Sequence, residues 1–171
     1  MSDDPIIIRT DLRPGDLGRL IALHGDAYGP DEAHFGLTFE AFVARTVADY
    51  ILDDGGNGRI WFAEQGDRLA ATAALVVRPG TAVGDAPKGQ LRWIVADPAW
   101  RGRGLGKRLI EAAIGYARER GCDEAYLETT DGLDASMAIY RKLGFVETER
   151  VIETMWRDAP KITMRLSLTQ T

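Results

Sequence analysis

One short segment constrains this chain more than any other: Arg101-Gly102-Arg103-Gly104-Leu105-Gly106-Lys107-Arg108. It holds three glycines, four bases and no acid. An apolar run that reads as a β-strand, residues 90–96, precedes it. A helical stripe of Leu105, Leu109, Ala112, Ala113 and Tyr116 follows it. At a strand-to-helix corner of this kind the first backbone N–H groups have no intrahelical partner, and the helix dipole adds positive charge. Glycine lets an anion come close to such a backbone. Two readings stand: a phosphate or pyrophosphate cradle, or a glycine corner with solvated arginines. The ATP-loop pattern G-x-x-x-x-G-K-[ST] fails, because Gly102 to Gly106 is one residue too short and Arg108 replaces Ser/Thr. The dinucleotide pattern G-x-G-x-x-G fails, because Lys107 stands at the third glycine.

The rest of the chain supplies one α/β domain around this corner. Residues 6–9 read as a short strand. A first helix begins near Pro14, with the stripe Leu17, Leu20, Ile21, His24, Ala27, Tyr28, and breaks at Gly29-Pro30. A second begins near Thr38, with Phe39, Phe42, Val43, Val47, Tyr50 and Ile51. Strands follow at 59–64, 68–78 and 90–96, then the corner and its helix, which ends at Gly121. A strand at 124–129 leads to a short helix that Asp134 can cap. Strands at 145–151 and 162–168 close the order around a loop at 156–160. Three consecutive strands predict an antiparallel meander, and the later strand-helix-strand unit predicts a parallel pair. The expected fold is a mixed sheet of about seven strands with helices on both faces.

Composition removes several function classes. With 171 residues the chain buries about 70% of its unfolded surface and needs no staple. Cys122 is the only cysteine, and His24 and His34 are the only histidines, so neither a disulfide framework nor a Cys- or His-rich metal site is expected. The net charge of −5 argues against a nucleic-acid binder. No apolar run approaches the ~20 residues of a membrane span, and Ile6-Ile7-Ile8 is too short for a signal peptide. A soluble cytoplasmic protein is the expectation.

The corner fits R/Q-x-x-G-x-G/A, as Arg101 to Gly106, and so resembles the acyl-coenzyme A signature of the GNAT superfamily of N-acetyltransferases. Val95-Ala96-Asp97-Pro98-Ala99-Trp100 resembles the entry to that signature, and Ala138 to Phe145 resembles the family's late Tyr…Gly-Phe motif. The likeness covers roughly residues 6–168. Within the superfamily, residues 13–18, 39–45 and 90–93 most resemble the acetyltransferase half of MarR–acetyltransferase fusion proteins. No winged-helix segment accompanies them, so a DNA-associated regulator is disfavoured.

The resemblance implies acetyl transfer from acetyl-CoA to a primary amine of a small molecule or peptide, by direct attack, with no metal. The alternative is a catalytically weak acyl-CoA sensor. By position, Ile94, Val95 and Ala96 would hold the pantetheine arm. Arg101, Gly102, Arg103, Gly104, Leu105, Gly106 and Lys107 would hold the pyrophosphate. Tyr140 matches the tyrosine that protonates the departing thiolate. Glu128 matches a strand-five glutamate that serves as general base in ribosomal-protein alanine acetyltransferases. Gln90 occupies the other known base position and cannot serve. Leu133 stands where many members have a coenzyme-contacting Asn, a role Asp134 or Ser136 would have to take. His24, Tyr28 and Trp93 are the candidate groove residues, although His24, on its apolar stripe, reads first as a satisfied core histidine. The resemblance also makes a homodimer plausible.

Residues 24–54 hold seven acids (Asp26, Asp31, Glu32, Glu40, Asp49, Asp53, Asp54) against Arg45, a net −6. This segment is either a solvated helix face or an acidic entrance for a cationic amine.

Overall fold

Strand β3 (Arg68–Arg78) explains why the sheet has two covered faces, since every residue from Leu69 to Val77 is buried. A strand with apolar side chains on both sides needs cover on both. A computed structural model of the chain, describing residues 4–30, 35–153 and 159–169, supplies that cover. Helices α1 (Asp16–Tyr28) and α2 (Gly36–Leu52) pack Leu20, Leu23, Val43 and Val47 against Ala74 and Val76. On the other face, α3 (Leu105–Glu119) and α4 (Asp134–Lys142) pack Leu109, Ala113, Met137 and Tyr140 with Ala73 and Leu75.

The remaining strands are β1 (Ile7–Arg9), β2 (Gly58–Gln65), β4 (Lys88–Ala96), β5 (Glu124–Thr130), β6 (Val146–Glu153) and β7 (Ala159–Ser167). They form one seven-stranded sheet in the order β1-β2-β3-β4-β5-β7-β6. The meander β2-β3-β4 is antiparallel and the β4–β5 pair is parallel, as expected from the element order. Some boundaries differ. β7 starts at Ala159, so residues 159–160 are strand rather than loop, and 156–158 lie outside the described residues. Asp134 is the first residue of α4 instead of its cap, a place where a carboxylate still meets the positive dipole end.

One ion network anchors the β1 edge. Arg9 on β1 binds Asp16 on α1 and Glu64 on β2, and Arg19 also reaches Glu64 (2.6 Å). Asp16 is only 2% exposed, and the Arg9 guanidinium holds its carboxyl below the usual range. Cys122 is buried beyond the end of α3, where its N–H closes on Ala117 O (3.0 Å), so it is a structural residue.

Candidate active site

The site arises where the sheet comes apart. β4 and β5 pair only at Lys88↔Glu124, Gly89↔Ala125 and Gln90↔Tyr126. Beyond Gln90, β4 has β3 on one side and no strand on the other among the described residues. Backbone groups along Ile94, Val95 and Ala96 are therefore left for another partner on that open side.

A bulge sits at the mouth of this split. The β3–β4 register runs from Thr72↔Val95 to Ala74↔Arg92, so Trp93 and Ile94 together oppose Ala73 alone. Trp93 has φ +45°, the one non-glycine residue with positive φ among those described. Such a conformation costs about 1–2 kcal/mol and needs an anchor. Three contacts supply it. The buried Thr72 hydroxyl donates to Trp93 O (2.7 Å), Trp93 Nε1 donates to Thr46 Oγ1 (3.1 Å), and Tyr50 packs edge-on at 5.5 Å. No feature of the sequence announced this bulge.

The split opens a cavity of about 310 Å³. It gathers side chains from both layers: His24, Tyr28 and Thr46 from α1 and α2, Trp93 and Ile94 from β4, Glu128 from β5, Ser136 and Tyr140 from α4, and Lys161 from β7. Thus Glu128, Tyr140 and the three expected groove residues share one chamber. Val95 and Ala96 do not line it. Val95 is core, and both meet the open side through backbone alone. Gln90 lines the chamber but is held by Arg78 Nε (3.0 Å).

Tyr140 is buried in the α4 layer, 6.2 Å from the Phe145 ring. Burial drives its phenol far above the ordinary value, and the nearby Tyr28 adds to this, with Ser136 one turn earlier pulling the other way. It is protonated at neutral pH. Glu128 stands 3.5 Å from Lys161 Nζ with its side chain 40% exposed, so it is reachable from the chamber. His24 donates Nδ1–H to Leu20 O (2.8 Å), which leaves Nε2 unprotonated, and burial lowers its pKa to about 4. It is a satisfied helix histidine at the chamber wall. Leu133 takes the place expected of an Asn and offers no polar group, while Ser136 supplies a hydroxyl to the chamber and Asp134 does not line it.

The corner has the form a phosphate needs. Asp97 caps the one-turn 3-10 helix Pro98–Trp100 by accepting from Ala99 N (2.8 Å). Gly102 and Gly104 then take φ +76° and +73°, and α3 begins. The N–H groups of Gly102, Gly104, Leu105, Gly106 and Lys107 have no backbone acceptor among the described residues. Built Cβ atoms at Gly102, Gly104 and Gly106 meet nothing within 4 Å, so the space before these N–H groups is open. A pyrophosphate fits this donor run. Arg101 N–H goes to Pro98 O (3.3 Å) and its guanidinium reaches Ala27 O and Ala96 O (3.3 and 3.4 Å), so this residue also links α1 to β4. Arg103 lies over the Trp100 ring at 4.7 Å.

None of the described acids of residues 24–54 lines the chamber. Asp26, Asp49 and Asp53 are exposed, Asp54 pairs with Arg78, and Asp31, Glu32 and His34 lie outside the described residues. The solvated-face reading describes Asp26, Asp49 and Asp53, whereas Glu40 and Asp54 are half-buried. Among the aromatics, Tyr28, Phe35, Phe39 and Trp93 line the chamber, whereas Trp61 packs on the α3 face. Sequence reasoning missed Thr46, Arg92 and Lys161, which no motif marks. No group of three or more His, Cys, Asp or Glu placed to hold a metal occurs among the described residues, and no helix there is long and apolar enough to cross a membrane.

A split parallel pair, a bulge at its mouth and a glycine cradle at the next helix define an acyl-CoA-dependent transferase. Residues 27–145 match the acetyltransferase (GNAT) family, and the chain belongs to that family. It is 35% identical over 104 residues to glucosamine 6-phosphate N-acetyltransferase of Trypanosoma brucei brucei, covering 61% of this chain and 69% of that protein. It is 31% identical over 147 residues to streptothricin acetyltransferase of Streptomyces lavendulae, covering 78% of each. Its fold matches ribosomal-protein-alanine N-acetyltransferase from Brucella melitensis with a TM-score of 0.71 at 22% identity, covering 95% of this chain and 99% of that one. The protein is an N-acetyltransferase that takes acetyl from acetyl-CoA and carries it to an amine.

Proposed function

We propose that the protein acetylates a primary amine of a small molecule or peptide by direct attack inside the β4–β5 split, with Glu128 as proton acceptor and Tyr140 on the leaving-group side. The observation that carries this is the single chamber lined by both residues and by the Trp93–Ile94 bulge. Acetyl-CoA supplies the activated acyl group. The N–H run of the corner binds its pyrophosphate, and the open edge of β4 at Ile94, Val95 and Ala96 binds its pantetheine arm. A backbone N–H at the bulge stabilises charge on the thioester oxygen, a contact worth about 3 kcal/mol in comparable sites.

An amine of pKa near ~10.4 is neutral about once in 2,500 at pH 7. As its nitrogen bonds to carbon its acidity rises steeply, and Glu128 accepts the proton then. A thiolate of pKa near ~8.5 cannot take a proton outright from a phenol held well above its ordinary ~10. Tyr140 therefore stabilises the sulfur by a hydrogen bond, and solvent supplies the proton after release.

The supporting assay is thiol release from acetyl-CoA across a library of amines. Turnover of at least one amine is expected. Acetyl-CoA binding without turnover of any amine would instead support the sensor, which the named acetyltransferase relatives do not favour. A homodimer, a cytoplasmic location and kinship with the MarR-fused acetyltransferases complete the proposal. Edge strand β6, with Val146 and Ile152 60% and 71% exposed, supports the dimer, and a monomeric mass in solution would reject it.

A further inference from the structure

The chamber holds one charge that acetyl transfer does not use. Arg92 lies two residues past the last β4–β5 pair, with its backbone opposite Ala74. It is half-buried and lines the chamber. Its guanidinium has no hydrogen-bond acceptor among the described residues, and the ring contact it makes is with its neighbour Trp93, 5.4 Å away. Arg78, two strand positions from Gln90, shows the usual arrangement: it donates to Asp54 and to Gln90. A half-buried guanidinium without a protein acceptor keeps its five N–H donors for solvent or a ligand. Burial accordingly lowers the Arg92 pKa, with Glu128 opposing.

The other charges of the chamber do not cancel it. Its charged lining is Arg92, Lys161 and Glu128. Lys161 and Glu128 face each other at 3.5 Å, while Glu128 is not within salt-bridge distance of Arg92. The wall thus offers two separate subsites, a carboxylate paired with a lysine and a planar cation with no ion-pair partner among the described residues. None of the described acids of residues 24–54 lines the chamber, and Asp54, paired with Arg78, acts on Arg92 only at longer range. A planar fork of N–H donors matches a carboxylate or phosphate in a bidentate way.

Resting on the reading of this chamber as the acceptor site, we propose that the acceptor is an amine that also bears an anionic group, a carboxylate or a phosphate. Arg92 holds the anion and so directs the nitrogen toward Glu128 and the bulge. Arg92 is a specificity residue and takes no part in bond making.

Matched pairs test this by thiol release: an amino acid against its amide, and 2-aminoethyl phosphate against ethanolamine. The wild-type protein is expected to favour the anionic member of one pair by roughly 10- to 100-fold in kcat/KM, the range of a charged hydrogen-bonded contact. The pair that shows the preference distinguishes carboxylate from phosphate. Arg92→Gln should collapse the ratio toward one by raising KM for the anionic member, and Arg92→Lys should recover part of it. Equal turnover of both members in both pairs, or a preference that survives Arg92→Gln, overturns the proposal and leaves acetyl transfer standing. Absence of turnover for every amine, with acetyl-CoA still raising Tm, refutes the transfer reading and the acceptor class with it.

Discussion

Gly106→Ala separates the two readings of the glycine corner, because they demand opposite things of one methyl group. Gly106 is the second residue of α3, its φ is not positive, and a Cβ there meets nothing within 4 Å. In the protein alone the methyl is unstrained. Alanine is a better helix former than glycine by up to ~1 kcal/mol mid-helix and less in the first turn. A gain near ~0.5 kcal/mol in a chain of this size raises Tm by about 1–2 °C. If the N–H groups of Gly102, Gly104, Gly106 and Lys107 cradle a pyrophosphate, the same methyl stands where the phosphate oxygens approach. Affinity for acetyl-CoA should then fall tenfold or more, about 1.4 kcal/mol. At a fixed ligand concentration well above Kd, the stabilisation by acetyl-CoA should shrink by about 3–5 °C. Thermal unfolding with and without acetyl-CoA, with calorimetric titration, reads both quantities. A higher Tm with an unchanged Kd would show that the corner is only a glycine turn with solvated bases.

Four further outcomes follow from the geometry. Glu128→Gln should lower kcat/KM at neutral pH at least tenfold with acetyl-CoA affinity unchanged, and equal steady-state kinetics would remove Glu128 from the chemistry. Tyr140→Phe should lower kcat about 10- to 100-fold, and a defect confined to KM for the amine would contradict a leaving-group role. His24 has a folded pKa of about 4 against ~6.5 unfolded, so the unfolded chain binds the extra proton between these values and stability falls as pH drops through that window, by up to ~3 kcal/mol. His24→Asn keeps a donor for Leu20 O and should flatten that part of the denaturant midpoint–pH profile; an unaltered slope sinks the assignment. Thr72→Val removes the hydroxyl that donates to Trp93 O inside the core and should cost about 1–2 kcal/mol in urea unfolding, with a drop in kcat exceeding the change in KM for acetyl-CoA; an equally stable variant would show that the bulge needs no such anchor.

The sequence carried the order of elements because each is written locally. The α3 stripe repeats at helical spacing, β3 is a continuous apolar run, and the glycines at 102 and 104 sit where φ is positive. It also carried the partners of the cavity that lie in motifs, Tyr140 and the corner. Contacts between distant elements were not legible. Arg101 reads as one more base of a phosphate turn, and nothing local shows that its guanidinium also reaches the Ala27 carbonyl of α1, 74 residues away. The acids between His24 and Asp54 read as a patch because composition ignores facing, and α1 and α2 turn the described ones away from the chamber. Arg92 read only as part of a family likeness, since nothing about an arginine in a strand says whether it will find an acceptor.

The bulge and the split make sense only together. A parallel pair that continued past Gln90 would seal the sheet, and Tyr140 and Glu128 would belong to different faces of a wall. Ending the pairing there exposes one edge of β4, but a regular strand keeps alternating its side chains and directs its backbone groups along the sheet. Inserting one extra residue at Trp93–Ile94 resets that alternation. Leu91 packs with the α3 layer, whereas Trp93 and Val95 both pack with the α1–α2 layer. The strained Trp93 is held because Thr72 of β3 and Thr46 and Tyr50 of α2 fix it from two elements, and its strain lies at the mouth of the split, where the proposed acyl transfer would draw on its backbone donor. On this reasoning the conformation at residue 93, rather than any single polar side chain, joins the acyl-donor side of the sheet to the acceptor side.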